Sequence, residues 1–250
     1  MRREDYGIDA PTVVRNLAVI GLALVVASAG AMLATHYDLA SASPILRAVR
    51  NFLPSGIICL IMAFWMIASS KWLKHEVART LLDGRQWRGN ERVLDVGCGR
   101  GLVAVNAAKR IPNGHVTGID IWQERDLAGN NPQAIRANAD AAGVASRLTA
   151  VTGDARSLPY PDGTFDVVTS MTAIHNISKV AGRTAAIREA WRVTKPGGQI
   201  LIFDLRHARK YAAQLRAAGA VDVRLTGPIL LWGPVGWRFS ARKPGVESSS

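Results

Sequence analysis

The sequence predicts an α/β domain with a seven-stranded sheet, preceded by two apolar helices of membrane-spanning length. Strand-like and helix-like segments alternate from residue 93 onward, which is the pattern of a largely parallel sheet. A glycine-rich loop joins the first strand of this series to its first helix. Two segments without Asp, Glu, Lys or Arg come before it, at residues 16–37 and 51–70. These three observations define the predicted architecture.

Composition limits the class of protein. The chain has 250 residues, enough for one large α/β domain and an appendage. Lys and Arg number 31 against 19 Asp and Glu, and a net charge of +12 suits nucleic acid or an anionic membrane surface. The two cysteines, Cys59 and Cys98, suggest neither a disulfide framework nor a zinc site. This usage indicates a reducing compartment.

The two uncharged segments are predicted to form a transmembrane hairpin within residues 1–70. Each has about the 20 residues that a helix needs to cross a bilayer. A cleaved signal peptide is one alternative, because Ala29-Gly30-Ala31 has a suitable form, but a second span follows the first. A pair of buried soluble helices is the other. Trp65 and Trp72 would lie at the membrane interface.

Basic residues favour one orientation of this hairpin. The flanking basic residues are Arg2, Arg3, Arg15, Lys71, Lys74 and Arg79. Only Arg47 and Arg50 lie between the two segments. The positive-inside rule therefore predicts a two-span membrane protein with its remaining domain, residues 89–250, in the cytoplasm. Residues 71–88 are predicted as a linker that carries an amphipathic helix.

The elements of the C-terminal domain follow from apolar periodicity and from turn and cap residues. Strands are predicted at residues 93–96, 115–120, 148–153, 165–170, 199–204, 221–225 and 237–241. Helices are predicted at residues 102–110, 132–142, 183–193 and 206–218. Asn130 or Asn131 can cap the second helix, whose first residue is Pro132. Pro196 and Gly197 predict a tight turn before the fifth strand.

The loop in Val93-Leu94-Asp95-Val96-Gly97-Cys98-Gly99-Arg100-Gly101 predicts a nucleotide-type cofactor site. Glycine at every second position lets a ligand approach the backbone, and the following helix N-terminus offers free amide donors. A dinucleotide fingerprint is Gly-x-Gly-x-x-Gly, whereas here the third glycine comes one position early. Asp95 also precedes the first glycine by two positions. A ligand-free glycine turn is the alternative.

This arrangement resembles motif I of the class I S-adenosylmethionine (SAM) dependent methyltransferases, and the seven strands resemble that family's fold over about residues 81–243. The resemblance implies a methyltransferase with SAM as its cofactor. It also implies that the last strand runs antiparallel, between the fifth and the sixth.

The resemblance assigns a role to each candidate cofactor residue. Asp95 would organise the glycine loop and the amino end of the SAM methionine, for which Gly97 and Gly99 leave room. Asp120, at the end of the second strand, would accept both ribose hydroxyls. The remaining assignments are Ile121 against the adenine, Asp154 on the adenine amino group, the amide of Ala155 on a ring nitrogen and the backbone of Ser170 on the methionine part.

A general base is needed only when the acceptor must lose a proton, and no metal is required. His175 is the candidate catalytic residue, because it follows the fourth strand at the sheet edge where such folds bind ligands. The alternative is a histidine that orders its loop through hydrogen bonds. His207, after the fifth strand, is a weaker candidate.

The acceptor is predicted to be a small molecule rather than nucleic acid. Enzymes that methylate base amino groups usually carry an Asn/Asp-Pro-Pro-Tyr type motif after the fourth strand, where this chain has Ser170-Met171-Thr172-Ala173. Residues 165–176 and the turn at 195–198 resemble quinone and sterol methyltransferases. With the membrane hairpin, this predicts a lipophilic acceptor, and the apolar segment 227–235 is either its entrance or packing between strands. A tethered enzyme of a soluble metabolite and a non-catalytic SAM-binding module remain alternatives.

Overall fold

The computed structural model describes residues 4–37, 43–230 and 235–245. An N-terminal helical part precedes an α/β domain. Arg2 and Arg3, used above for orientation, and residues 231–234 of the predicted entrance segment lie outside the described residues.

Seven strands form a single sheet. They are β1 Arg92–Val96, β2 His115–Asp120, β3 Leu148–Thr152, β4 Phe165–Met171, β5 Thr194–Asp204, β6 Val221–Leu230 and β7 Val235–Arg242. Their order across the sheet is β3-β2-β1-β4-β5-β7-β6. β1 to β5 are mutually parallel, and β7 is antiparallel to both β5 and β6. The predicted seven-stranded sheet, with its last strand inserted antiparallel, is confirmed.

The helices begin and end close to the predicted positions. They are α1 Pro11–His36, α2 Pro44–Arg50, α3 Leu53–Ala68, α4 Lys74–Leu82, α5 Leu102–Arg110, α6 Pro132–Ala141, α7 Val180–Val193 and α8 Ala208–Ala217. Asn131 is the cap of α6, because its side-chain oxygen accepts from the backbone N of Ala134 at 2.8 Å. The helix in the predicted linker is α4, which ends at Leu82.

Two apolar clusters lie on the two faces of the sheet. Val93 belongs to the cluster packed against α4 and α5, whereas its neighbour Leu94 belongs to the cluster packed against α7 and α8. Alternate residues of β1 are therefore buried on both faces, as expected for a central parallel strand. α4 contributes Val77 and Leu81 to the first cluster, so this helix is part of the domain core as well as a bridge to α3.

α1 and α3 form an antiparallel helical pair that precedes the domain in the chain. α1 and the helical segment Pro44–Leu82 are long and apolar enough to cross a membrane, by length and composition only. The pair packs closely at Gly21 and Gly56, since a Cβ on Gly21 would lie 2.9 Å from the carbonyl oxygen of Gly56. Exposed apolar side chains on the pair include Val19, Ile20, Leu22, Val26, Ile58, Ile61 and Phe64. The transmembrane hairpin stays a prediction.

The segment 227–235 is mostly strand rather than loop in its described part. β6 continues to Leu230 and pairs with β7, with Ile229 opposite Gly236. A Cβ on Gly227 would lie 2.8 Å from the ring of Trp237. Residues 227–230 thus form the end of β6, and the prediction that they are a loop was wrong. A role of this segment as an acceptor entrance stays a prediction.

Candidate functional site

A cavity lies at the carboxyl edge of the sheet. Its volume is about 380 Å³, within the usual range for small-molecule sites. Four parallel strands contribute walls at their carboxyl ends, namely residues 95–100 at the end of β1, 119–121 at the end of β2, 153–156 after β3 and 171–174 at the end of β4. Parallel strands ending at one edge bring these distant segments together.

The glycine loop is held tightly between neighbouring strands. The backbone N of Gly97 and that of Cys98 both donate to the carbonyl of Ile119, at 2.8 and 3.2 Å. Gly97 has a φ of +69°, and a Cβ added to it would lie 2.2 Å from the Cβ of Ala173. Only glycine fits this position, so the loop backbone forms the cavity wall directly.

Asp120 is fixed beside this loop. Its Oδ2 accepts from the backbone N of Gly99 at 2.8 Å, and its Oδ1 accepts from the backbone N of Trp122 at 2.6 Å. Asn130 is 5% exposed and lies against Asp120, with its Nδ2 3.3 Å from Oδ1. Asn130 lines the cavity, and its Oδ1 has no hydrogen-bond partner in the described protein. Because buried polar atoms are nearly always paired, this oxygen indicates a ligand hydroxyl or amine.

Asp95 lies buried at the base of the cavity. Its Oδ1 accepts from the hydroxyl of Thr169 at 2.7 Å. Burial raises the pKa of Asp95 to about 7, although the Thr169 hydrogen bond opposes this shift. A cationic group placed in the cavity would favour the ionised carboxylate. Asp95 therefore suits the amino end of an amino-acid ligand.

The opposite end of the cavity carries Ile121, Asp154 and Ala155. Ile121 is 53% exposed and lines the cavity, as does Ala155. Asp154 accepts from the backbone N and the guanidinium of Arg156, with contacts of 2.8 to 3.0 Å to N and Nε. The Arg156 hydrogen bonds lower the pKa of Asp154. Sequence reasoning missed Arg156, which occupies the carboxylate assigned to the adenine.

Ser170 is not among the cavity residues. Its Oγ donates to the carbonyl of Val96 at 2.8 Å and so ties β4 to β1 inside the sheet. The cavity wall instead begins at Met171. A role for the Ser170 backbone toward a cofactor stays a prediction.

His175 is anchored to a buried carboxylate. Its Nδ1 hydrogen-bonds Oδ1 of Asp204, and its backbone N donates to Oδ2 of Asp204 at 3.1 Å. Since a carboxylate only accepts, Nδ1 carries the proton and Nε2 is left as the basic nitrogen. Ile174 and Asn176, on either side of His175 in the chain, line the cavity, whereas His175 itself does not. Asp204 as the partner of His175 was not apparent from the sequence.

His207 takes no part in the cavity. It precedes α8 with a φ of +64° and lies near the ring of Tyr211. Across the described ranges, no three His, Cys, Asp or Glu side chains come together as metal ligands.

A further wall of the cavity comes from outside the predicted domain. Tyr6, Asp9 and Lys74 line it together with the strand ends. No sequence motif marked these three residues.

Comparison with known proteins identifies the domain. Residues 93–198 match the family described as "Methyltransferase domain". The chain is 34% identical over 134 residues to the ubiquinone/menaquinone biosynthesis C-methyltransferase UbiE of Roseobacter denitrificans, covering 54% of this chain and 50% of the relative. It is 35% identical over 163 residues to the demethylmenaquinone methyltransferase of Symbiobacterium thermophilum, covering 65% and 59%. The chain thus spans about half the length of the curated relatives it matches.

The solved structures show the same fold. A SAM dependent methyltransferase from Aquifex aeolicus superposes with a TM-score of 0.51 at 19% identity, covering 66% of this chain and 88% of that chain. The cavity also fits the cofactor of this class, because Gly97 admits close backbone contact, Asn130 offers an unpaired oxygen and Asp95 contributes a buried carboxylate to the lining. The predicted class and cofactor are confirmed: this chain contains a class I methyltransferase domain whose cofactor is S-adenosylmethionine.

Proposed function

We propose that the chain is a membrane-anchored methyltransferase of a small, lipophilic acceptor. The observation that carries this proposal is the position of the cavity at the base of the two apolar helices. Asp9, two positions before α1, and Lys74, the first residue of α4, both line the cavity. A molecule dissolved in the bilayer would therefore meet the cavity where the helices leave the membrane. The quinone methyltransferase relatives support an acceptor of this kind.

The cofactor supplies a methyl group on a sulfonium, which is already activated for transfer. The chain has to bind the cofactor, orient it and exclude water. Asp120 and Asn130 would hold the ribose, because a fixed carboxylate and an unpaired amide oxygen accept from adjacent hydroxyls. Asp95 would pair with the methionine ammonium. The proposed cofactor set is thus Asp95, Gly97, Gly99 and Asp120, with Ile121, Asp154, Ala155 and the backbone of Ser170.

His175 is proposed to serve the acceptor. The Asp204 carboxylate fixes the ring tautomer and would stabilise the imidazolium formed when Nε2 takes a proton from the acceptor. Its neighbours Ile174 and Asn176 line the cavity, which supports a place for His175 next to a bound acceptor. This role applies when the methylated atom must lose a proton.

The apolar helices are proposed to place the domain on the cytoplasmic side of a membrane as a two-span anchor. Their exposed apolar side chains and their lengths support the membrane anchor, and the basic residues that flank them support the cytoplasmic orientation. Trp65 and Trp72 lie at the domain end of α3 and beyond it, where interfacial aromatic residues are expected. We also propose, from the absence of a base-binding motif after β4, that nucleic acid is not the acceptor.

Label transfer tests this function. The purified full chain is incubated with methyl-labelled SAM and native membranes, and label is measured in lipid, aqueous, protein and nucleic-acid fractions. The expected result is label in the lipid fraction, abolished in Asp120→Ala and retained in Asp140→Ala, an exposed aspartate of α6. Label confined to the aqueous or nucleic-acid fraction would refute the lipophilic acceptor. SAM binding without transfer to any fraction would indicate a non-catalytic module.

A further inference from the structure

The segment of residues 4–10, here called the N-terminal strap, lies against the cofactor cavity. Tyr6 and Asp9 of the strap line the cavity. The strap lies outside residues 93–198, which match the methyltransferase family. Its contacts therefore have to be understood from this chain alone.

The strap pairs with the loop that follows β2. Asp9 forms an antiparallel bridge with Leu127. The backbone N of Ala10 donates to the carbonyl of Asp126, and that of Ala128 donates to the carbonyl of Ile8, both at 3.1 Å. Asp126 and Leu127 themselves line the cavity. The strap thus supports the loop that begins just after Asp120.

The strap is also joined to the glycine loop and to α6. Arg100, between Gly99 and Gly101, donates through Nε to the carbonyl of Asp5 and through Nη2 to its carboxylate, both at 2.9 Å. Asn138 of α6 exchanges two hydrogen bonds with the backbone of Asp5, at 2.7 and 2.8 Å. If the strap moved, the Arg100 side chain would lose its hydrogen bonds to Asp5, and the glycine loop that carries Arg100 would lose this support.

Lys74 fastens the strap to the helices. It is 4% exposed, and its Nζ donates to the carbonyls of Tyr6 and Gly7 at 2.8 Å each and to Oδ1 of Asp9 at 3.4 Å. All three ammonium donors therefore point to the strap. Ser70, at the domain end of the apolar segment, accepts from the backbone N of Asp9 at 3.1 Å.

The burial of this lysine has an energetic cost that its contacts must offset. Burial lowers the pKa of Lys74, and the Asp9 carboxylate opposes this change. An apolar residue of similar length would avoid that desolvation cost, because buried charges are often replaceable without loss of stability. The three hydrogen bonds that fix the position of the strap explain a lysine at position 74 better than a contribution to stability does.

We propose that Lys74 is a positioning residue that holds the strap as a wall of the SAM cavity, so that the base of the apolar helices completes the cofactor site. The inference rests on the proposed function for the ligand of this cavity. It goes further because it places part of the SAM site outside the family domain. Lys74 acts through the strap, Arg100 and the loop at 126–128, without transferring a proton or a methyl group.

The test measures SAM affinity of the full chain in detergent micelles, comparing Lys74→Met with Lys71→Met. Lys71 is the matched control, because it also contacts the strap but only through a half-exposed ion pair to Asp5 at 3.7 Å. If the strap lies against the cavity in only about one molecule in ten of Lys74→Met, the apparent Kd for SAM rises about tenfold in this variant. The Kd of Lys71→Met should change by less than about twofold.

Gly7→Ala displaces the strap without altering Lys74. Gly7 has a φ of +69°, and its added Cβ would lie 2.7 Å from the carbonyl of Ala128. This variant should weaken SAM binding in the same way. Hydrogen exchange at the amides of Ala10 and Ala128 reports the strap itself, and SAM should slow that exchange in the wild type but much less in both variants.

These readouts separate positioning from a merely structural contact. A structural role would lower the unfolding midpoint but leave the SAM Kd and the SAM-dependent protection of Ala10 unchanged, and that result overturns the proposal. Equal SAM affinity in wild type, Lys74→Met and Gly7→Ala overturns the positioning role of Lys74 and the strap, while leaving the proposed function intact. A wild-type chain that binds no SAM overturns both.

Discussion

Replacing Gly97 with alanine should destabilise the chain through two separable effects. The φ of +69° at this position disfavours any residue with a Cβ, at a cost of about 1 to 2 kcal/mol. The new Cβ would also lie 2.2 Å from that of Ala173, and such overpacking adds about 1 to 3 kcal/mol. The expected loss in the free energy of unfolding is therefore about 2 to 5 kcal/mol.

Two further variants divide this loss between the effects. Gly143 has a φ of +68° but no atom within 4 Å of an added Cβ, so Gly143→Ala should show the backbone cost alone. Ala173→Gly in the Gly97→Ala background should remove the overlap and recover about 1 to 3 kcal/mol. Urea unfolding of the four proteins measures each difference. The reasoning is refuted if Gly97→Ala costs no more than Gly143→Ala, or if Ala173→Gly fails to restore stability.

Two other predictions concern titrating and proton-transferring groups. Burial raises the pKa of Asp95 to about 7, above the usual value of about 4 for an aspartate in the unfolded chain, so its protonated form stabilises the fold. This contribution to stability is complete below the unfolded pKa and is lost as pH rises toward 7. Wild-type stability relative to Asp95→Asn should thus fall by up to about 4 kcal/mol between pH 4 and pH 8, and a pH-independent difference in unfolding free energy would contradict this. His175→Gln and Asp204→Asn should slow methyl transfer by similar factors, with the double variant little slower than either single one, because they act as a unit. Initial rates of label transfer measure this, and multiplicative losses would disprove it.

The fold was predictable because its signals are local. β2 and α5 have the bounds that their sequence patterns predicted. Alternating apolar residues, the glycine loop and the Asn131 cap each operate within a few residues of chain. The segment 227–230 escaped this reasoning because its glycine and proline resemble a loop, whereas pairing of Ile229 with Gly236 makes it a strand.

The cavity lining was predictable where a residue ends a strand or follows its end by one to three positions, as Ile121, Asp154 and Ala155 do. Asp95 and Asp120 follow from their strands. The contact of Lys74 with Tyr6 joins residues 68 positions apart, and no periodicity or motif records such a pairing. Asp204 meets His175 only because β4 and β5 are neighbours in the sheet.

Equilibrium binding of SAM to the purified full chain tests most directly the central claim that the carboxyl-edge cavity is the cofactor site. Wild type and Asp140→Ala should bind alike. Asp120→Ala should bind at least about tenfold more weakly, since each hydrogen bond from a ribose hydroxyl to a carboxylate is worth about 1.5 to 3 kcal/mol. Unchanged affinity in Asp120→Ala, or no SAM binding by the wild type, would contradict the claim.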